Sequence, residues 1–334
     1  MFSLYRTTLP ALCLTLILPC SVQAEDGKAP EASPDAAPAA AQRQPLVERS
    51  QEDALALERQ VPKEEQQTLQ AGSDNFLALW KPANSPAPQG ALVILAGAGE
   101  TADWPRTVGP LRRKFPDADW STLSLALPDL LTESPVARSE SPAPAPEPVE
   151  TGKTAPAKDT PADANANIAQ ATAADSETPD APEAANGAAS SDTTDAERVF
   201  ARLDAAVTYA QQQNARSIVV IGSGTGAYWA TRYLSERQPA QVQKLILVAA
   251  QTPLKAEHSL DNLAASLKVP TADFYYSDLE QARQAARQRL QASKRVKDSN
   301  YRQVALTAMP GNRSAEQEQL FRRIRGWLSP VDKD

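Results

Sequence analysis

Cysteine and histidine are nearly missing from this sequence of 334 residues, which holds two of the first and one of the second. Both cysteines, Cys13 and Cys20, fall in an N-terminal segment that reads as a secretory signal peptide. It carries Arg6, an apolar stretch from Leu9 to Leu18, and Val22-Gln23-Ala24 as a small-residue cleavage site before Glu25. Cleavage after Ala24 leaves no cysteine, which excludes disulfides and thiol chemistry even in a compartment that permits them. The apolar stretch is about half of what a spanning helix needs, so a membrane anchor is the weaker reading. Lipid attachment at Cys20 is disfavoured by Pro19, which stands where a small residue such as Gly or Ala is wanted. The single histidine, His258, excludes multi-histidine metal sites and is the one candidate for histidine-dependent catalysis. No metal and no cofactor are predicted. The net charge of −7 becomes more negative when Arg6 leaves with the signal, and it argues against a nucleic-acid partner.

Large apolar residues are also missing from two stretches. Residues 25–47 are rich in alanine, proline and acid, and read as a leader. Residues 134–194 contain no Leu, Phe, Trp or Tyr, only Val136, Val149 and Ile168 among larger aliphatics. Such composition buries too little surface to offset the entropy of ordering, so both stretches are expected to be disordered. What remains, 48–133 and 195–329, suffices for one α/β domain with an insert.

The order of elements follows from period and punctuation. Phe76 to Lys81 reads as an edge strand after the turn residues Gly72 to Asn75. Ala91 to Ala96 is a continuous apolar run, the pattern of a buried parallel strand. Asp103 is predicted to cap a helix beginning Trp104-Pro105 that carries Val108, Leu111 and Phe115 on one side. Trp120 to Leu127 is the next strand. After the insert, Thr194 to Glu197 reads as a capping box, followed by a strand from Ser217 to Ile221 that runs into Gly222-Ser-Gly-Thr-Gly226. Strands are predicted at Leu245 to Ala250, Val269 to Tyr276 and Tyr301 to Ala308, with further capping boxes at Ser277 to Glu280 and Ser314 to Gln317. Phe321, Ile324 and Leu328 line the last helix. Alternation of this kind implies a mostly parallel sheet with helices on both faces.

A glycine cluster between strand and helix has two readings. One is a dinucleotide loop on Gly222, Gly224 and Ala227; it is disfavoured because it follows several strands and because Gln251 stands where an acid is wanted. The other is a nucleophile elbow, Gly-x-Ser-x-Gly, with Gly222 and Gly226 as flanks. That register leaves Gly224 at the nucleophile position. Moving it to Ser223 would place Ile221 and Thr225 at crowded flanks, so Ser223 and Thr225 read as turn residues with local hydrogen bonds.

With this motif the chain resembles the α/β-hydrolase superfamily. Ala102-Asp-Trp-Pro105, Val108 to Arg113 and Gly224 to Trp229 are similar, more narrowly, to secreted Gram-negative proteins catalogued as domain of unknown function family 3530. The superfamily resemblance implies an oxyanion loop at Gly97-Ala-Gly-Glu100, whose glycines would leave amides free for an anion. It implies an acid after the penultimate strand, where Asp278 stands, although Asp278 reads better as a first-turn helix residue capped by Ser277. It implies a histidine after the last strand, where Asn312 comes nearest and no histidine is present. His258 follows an earlier strand and reads as a surface residue. Nucleophile and base act as a pair, so the triad is read as degenerate.

Three functions follow. The favoured one is a noncatalytic periplasmic protein, a pseudoenzyme that keeps the cleft for a small ligand or a periplasmic partner protein. The alternative is an atypical ester or acyl hydrolase using Glu100, Asp278 or His258 in other ways. A third is assembly through the acidic insert and the basic residues between Arg283 and Lys297, against which stands the simpler reading of a solubilising linker and a solvated helix face.

Overall fold

The apolar runs form the centre of an eight-stranded sheet ordered β1-β2-β4-β3-β5-β6-β7-β8. Its strands are β1 (Gln66–Ala71), β2 (Asp74–Lys81), β3 (Gly90–Leu95), β4 (Trp120–Leu125), β5 (Ile218–Ser223), β6 (Val242–Val248), β7 (Thr271–Tyr276) and β8 (Tyr301–Leu306). Pairing is antiparallel for β1 with β2 and for β2 with β4, and parallel from β4 through β8. The computed structural model describes residues 48–133 and 182–329. All of them belong to the compact unit Val47–Asp334. The predicted signal peptide, the leader and residues 134–181 of the predicted insert lie outside the described residues.

Seven α-helices and three short 3-10 turns accompany the sheet among the described residues; the α-helices are α1 (Arg49–Glu58), α2 (Val108–Lys114), α3 (Pro182–Gln212), α4 (Gly226–Arg237), α5 (Leu260–Ser266), α6 (Glu280–Arg295) and α7 (Arg313–Leu328). Successive side chains of a strand point to opposite faces, and β3 is buried on both. Ala91, Val93 and Leu95 belong to a core with Val199, Leu203 and Val207 of α3 and with Ala227 and Ala230 of α4. Leu92 and Ile94 belong to a second core with Val108 and Leu111 of α2 and with Leu320, Ile324 and Leu328 of α7. Burying each such aliphatic side chain contributes about 1.5–3 kcal/mol.

Several local expectations need correction. Gln66–Ala71, whose side chains are mostly polar, forms edge strand β1, so β2, expected at the edge, is internal. The two-residue turn Gly72-Ser73 joins them, with Gly72 at φ +61°, as a tight hairpin requires. Asp103 does not cap α2, which begins at Val108 with Thr107 as N-cap. Its carboxylate instead pairs with Arg112 and Arg113.

The box at Thr194 does not open a helix either, since α3 begins at Pro182, inside the stretch read as disordered. Composition counted only apolar burial, whereas Asp192, near the end of that stretch, is buried against Arg232, and Asp195, just past it, is held by polar contacts. Asp195 accepts hydrogen bonds from the amides of Leu131 and Thr132 and from the Thr132 hydroxyl, at 2.8–3.0 Å. Ser314 gives way to Asn312, whose side chain accepts from the Ala315 amide and caps α7. Ser277 is not a cap; α6 starts at Glu280 after Leu279, and the Ser277 hydroxyl donates to the Leu306 carbonyl.

Candidate functional site

The β5–α4 turn is built from close approaches that only glycine permits. A Cβ on Gly222 would stand 2.5 Å from the Ala227 Cα, and one on Gly226 would stand 2.4 Å from the Ala96 carbonyl oxygen. Between them Gly224 has φ +55°, with nothing nearer than the Gly97 Cα at 3.9 Å to the place a Cβ would take. The flanks are therefore crowded and the central position is open, which is the steric pattern of an elbow that displays its central residue. Here that residue has no side chain. Gly224 is also fixed through its backbone: its amide donates to Val248 O at 3.0 Å, and its carbonyl accepts from the Gln251 amide at 3.0 Å.

The loop after β3 faces this turn, but its amides are not free as expected. Gly97 N–H donates to Glu100 Oε2 at 2.9 Å, and Ala98 N–H donates to Thr225 Oγ1 at 2.8 Å. An amide enclosed away from water must find an acceptor, and side chains of this chain supply it. Thr225 thus bonds across 127 positions of sequence rather than within its own turn. Gly99, at φ +74°, lies under the Arg49 guanidinium, 2.9 Å from where a Cβ would be. Arg49 opens α1, and the cavity between α1 and this loop, lined by Arg49, Asp53, Leu77, Gly99 and Glu100, measures about 20 Å³. That holds about one water. Ser223 ends β5 and is buried.

The other superfamily positions are occupied as follows. Asp278 lies between β7 and α6, outside the first helical turn where it was expected, and its Oδ2 accepts the Ala308 amide at 2.8 Å. It therefore ties the end of β7 to the segment after β8, the segment in which the superfamily carries its histidine. Asn312 is engaged as the cap of α7. His258 is exposed, in the loop between β6 and α5, where its ring lies beside Asp192 and Glu257 rather than beside Asp278. Asp192 is the residue sequence reasoning missed, because it stood in a stretch dismissed on composition. Burial raises the Asp192 carboxyl above its ordinary value, opposed by the adjacent Arg232 guanidinium.

The sheet order with antiparallel β2 and a glycine turn after β5 defines an α/β-hydrolase fold, and a dinucleotide loop after a first strand does not fit it. The chain belongs to the family described as Protein of unknown function (DUF3530), whose model matches residues 9–330. Among solved structures it is similar to Est1E from Butyrivibrio proteoclasticus, with TM-score 0.50 at 9% identity, covering 80% of this chain and 100% of that one. It is similar as well to the Pyrococcus furiosus esterase Pf2001, with TM-score 0.50 at 11% identity, covering 79% and 91%. At such identities the likeness shows the fold alone. No curated protein sequence matches the chain.

Proposed function

We propose that this chain is a noncatalytic periplasmic protein that uses an α/β-hydrolase fold to bind a partner. The observation that carries the reading is Gly224: the open, displayed position of the turn has no nucleophile, and the loop opposite spends its Gly97 and Ala98 amides on Glu100 and Thr225. An oxyanion site needs donors aimed at an empty place, and these donors are already engaged. The cavity between α1 and the Gly97–Glu100 loop holds about one water, so a partner would meet the turn at its surface. The periplasmic location rests on the signal-peptide pattern of residues 1–24.

Purified mature protein incubated with p-nitrophenyl esters of short acyl chains tests this. The expected rate equals that of buffer. Turnover that disappears in Ser223→Ala or His258→Ala would establish the alternative, an atypical ester or acyl hydrolase.

A further inference from the structure

A second cluster lies where α3 meets the β6–α5 loop. Asp192 is fully buried, and its Oδ2 accepts from Arg232 Nη1 at 2.5 Å, while its Oδ1 has no hydrogen-bond partner. One carboxylate oxygen each of Asp192 and Glu257 and a ring nitrogen of His258 lie within 4.8 Å of one another. Tyr228, in the first turn of α4, is fully buried too. Its hydroxyl lies near Asp192, the Arg232 guanidinium and the His258 main chain, without a well-formed hydrogen bond to any of them. Unsatisfied buried polar atoms are costly, and native interiors hold few. Two such atoms in one place, beside a histidine and a second carboxylate, leave lone pairs for an occupant.

Charge and donor type identify its chemistry. Arg232 is shared by Asp192 and Glu236, and the Glu257 carboxylate lies beside that of Asp192. Two adjacent carboxylates and an imidazole are donors that suit a cation. Calcium and magnesium take oxygen donors, whereas an imidazole joined to carboxylates suits zinc and similar transition metals. Arg232 fixes the buried ligand as an outer-sphere partner does. Glu257 and His258 sit on an exposed loop and need only small side-chain movements to close on an ion.

We propose that Asp192, Glu257 and His258 bind one divalent transition-metal ion, zinc by preference, with the Tyr228 hydroxyl paired to water on the ion. The site clamps the α3 segment around Asp192 to the β6–α5 loop, and it stands independently of whether the β5–α4 turn is catalytic.

The test uses untagged mature protein, because His258 is the sole histidine and its ring resonances report on one residue. Addition of Zn²⁺ is expected to shift those resonances at one equivalent and to raise the melting temperature, while Mg²⁺ or Ca²⁺ at equal concentration leaves them in place. Calorimetric titration of His258→Ala and Glu257→Gln should show affinity weakened at least about tenfold, since even outer-sphere losses cost about 10–100-fold. Both residues are exposed, and unchanged zinc-free melting temperatures would establish that the variants fold. Zinc binding that leaves the His258 resonances unmoved, or that persists undiminished in His258→Ala, overturns the proposal, as does the absence of zinc binding.

Discussion

Alanine placed at each glycine of the β5–α4 turn separates the elbow register from any other. At Gly224 the added methyl meets open space, so the cost is the left-handed backbone alone. That is about 1–2 kcal/mol, reduced by roughly 0.4–1 kcal/mol because alanine also restricts the unfolded chain. At Gly222 the methyl would lie 2.5 Å from the Ala227 Cα and at Gly226 2.4 Å from the Ala96 carbonyl oxygen, and in each case the obstacle is main chain. Main chain of a parallel sheet and its turn cannot step aside as a flexible side chain can, so each of these variants should lose about 3 kcal/mol or more. For a domain of this size a kcal/mol corresponds to about 2–4 °C. Thermal and urea unfolding should therefore rank Gly224→Ala within a few degrees of the parent, with Gly222→Ala and Gly226→Ala far below it or unfolded. A Gly224→Ala variant as damaged as the other two would refute the register and, with it, the assignment of position 224 as the displayed residue.

Gly224→Ser should fold for the same reason yet show no esterase rate above buffer, because no base is placed to take its proton; a measurable rate would show that a base had been overlooked. Adding Asn312→His to it is expected to give no gain and to lose about 1 kcal/mol of stability with the α7 cap, read by urea unfolding. Asp195→Ala, which strands the Leu131 and Thr132 amides, should cost about 2–4 kcal/mol; a change under 0.5 kcal/mol, typical of a surface position, would refute the docking of α3. Glu65 carries a pH dependence: burial acts to raise its carboxyl, but hydrogen bonds from Lys81 and Arg112 outweigh it and hold the group below its ordinary 4.5. The folded value is thus the lower one, so its stabilisation is complete above the unfolded value and is lost as pH falls through the folded one. Glu65→Gln should cost about 1–3 kcal/mol at pH 7 and make the acid limb of a stability-against-pH curve shallower; an unchanged limb would contradict this.

The strands at the centre of the sheet were legible because β3, β5 and β6 are apolar runs that can be stable only when covered on both sides. The flanking glycines of the turn were legible because spacing alone reveals where backbones crowd. Edge strand β1 was not, since one face of Gln66–Ala71 meets solvent and its pairing is fixed by a neighbour rather than by its own pattern. Helix starts at Asp103 and Ser277 were misplaced because a capping side chain can equally serve a long-range hydrogen bond or ion pair, and only the surroundings choose between them. The sequence determined that position 224 lacks a nucleophile and that one histidine exists. Only the tertiary structure decided that Thr225 occupies the Ala98 amide, that Asp278 faces the segment after β8, and that Asp192 meets His258, because each of these contacts joins residues brought together by the sheet order and not by local spacing.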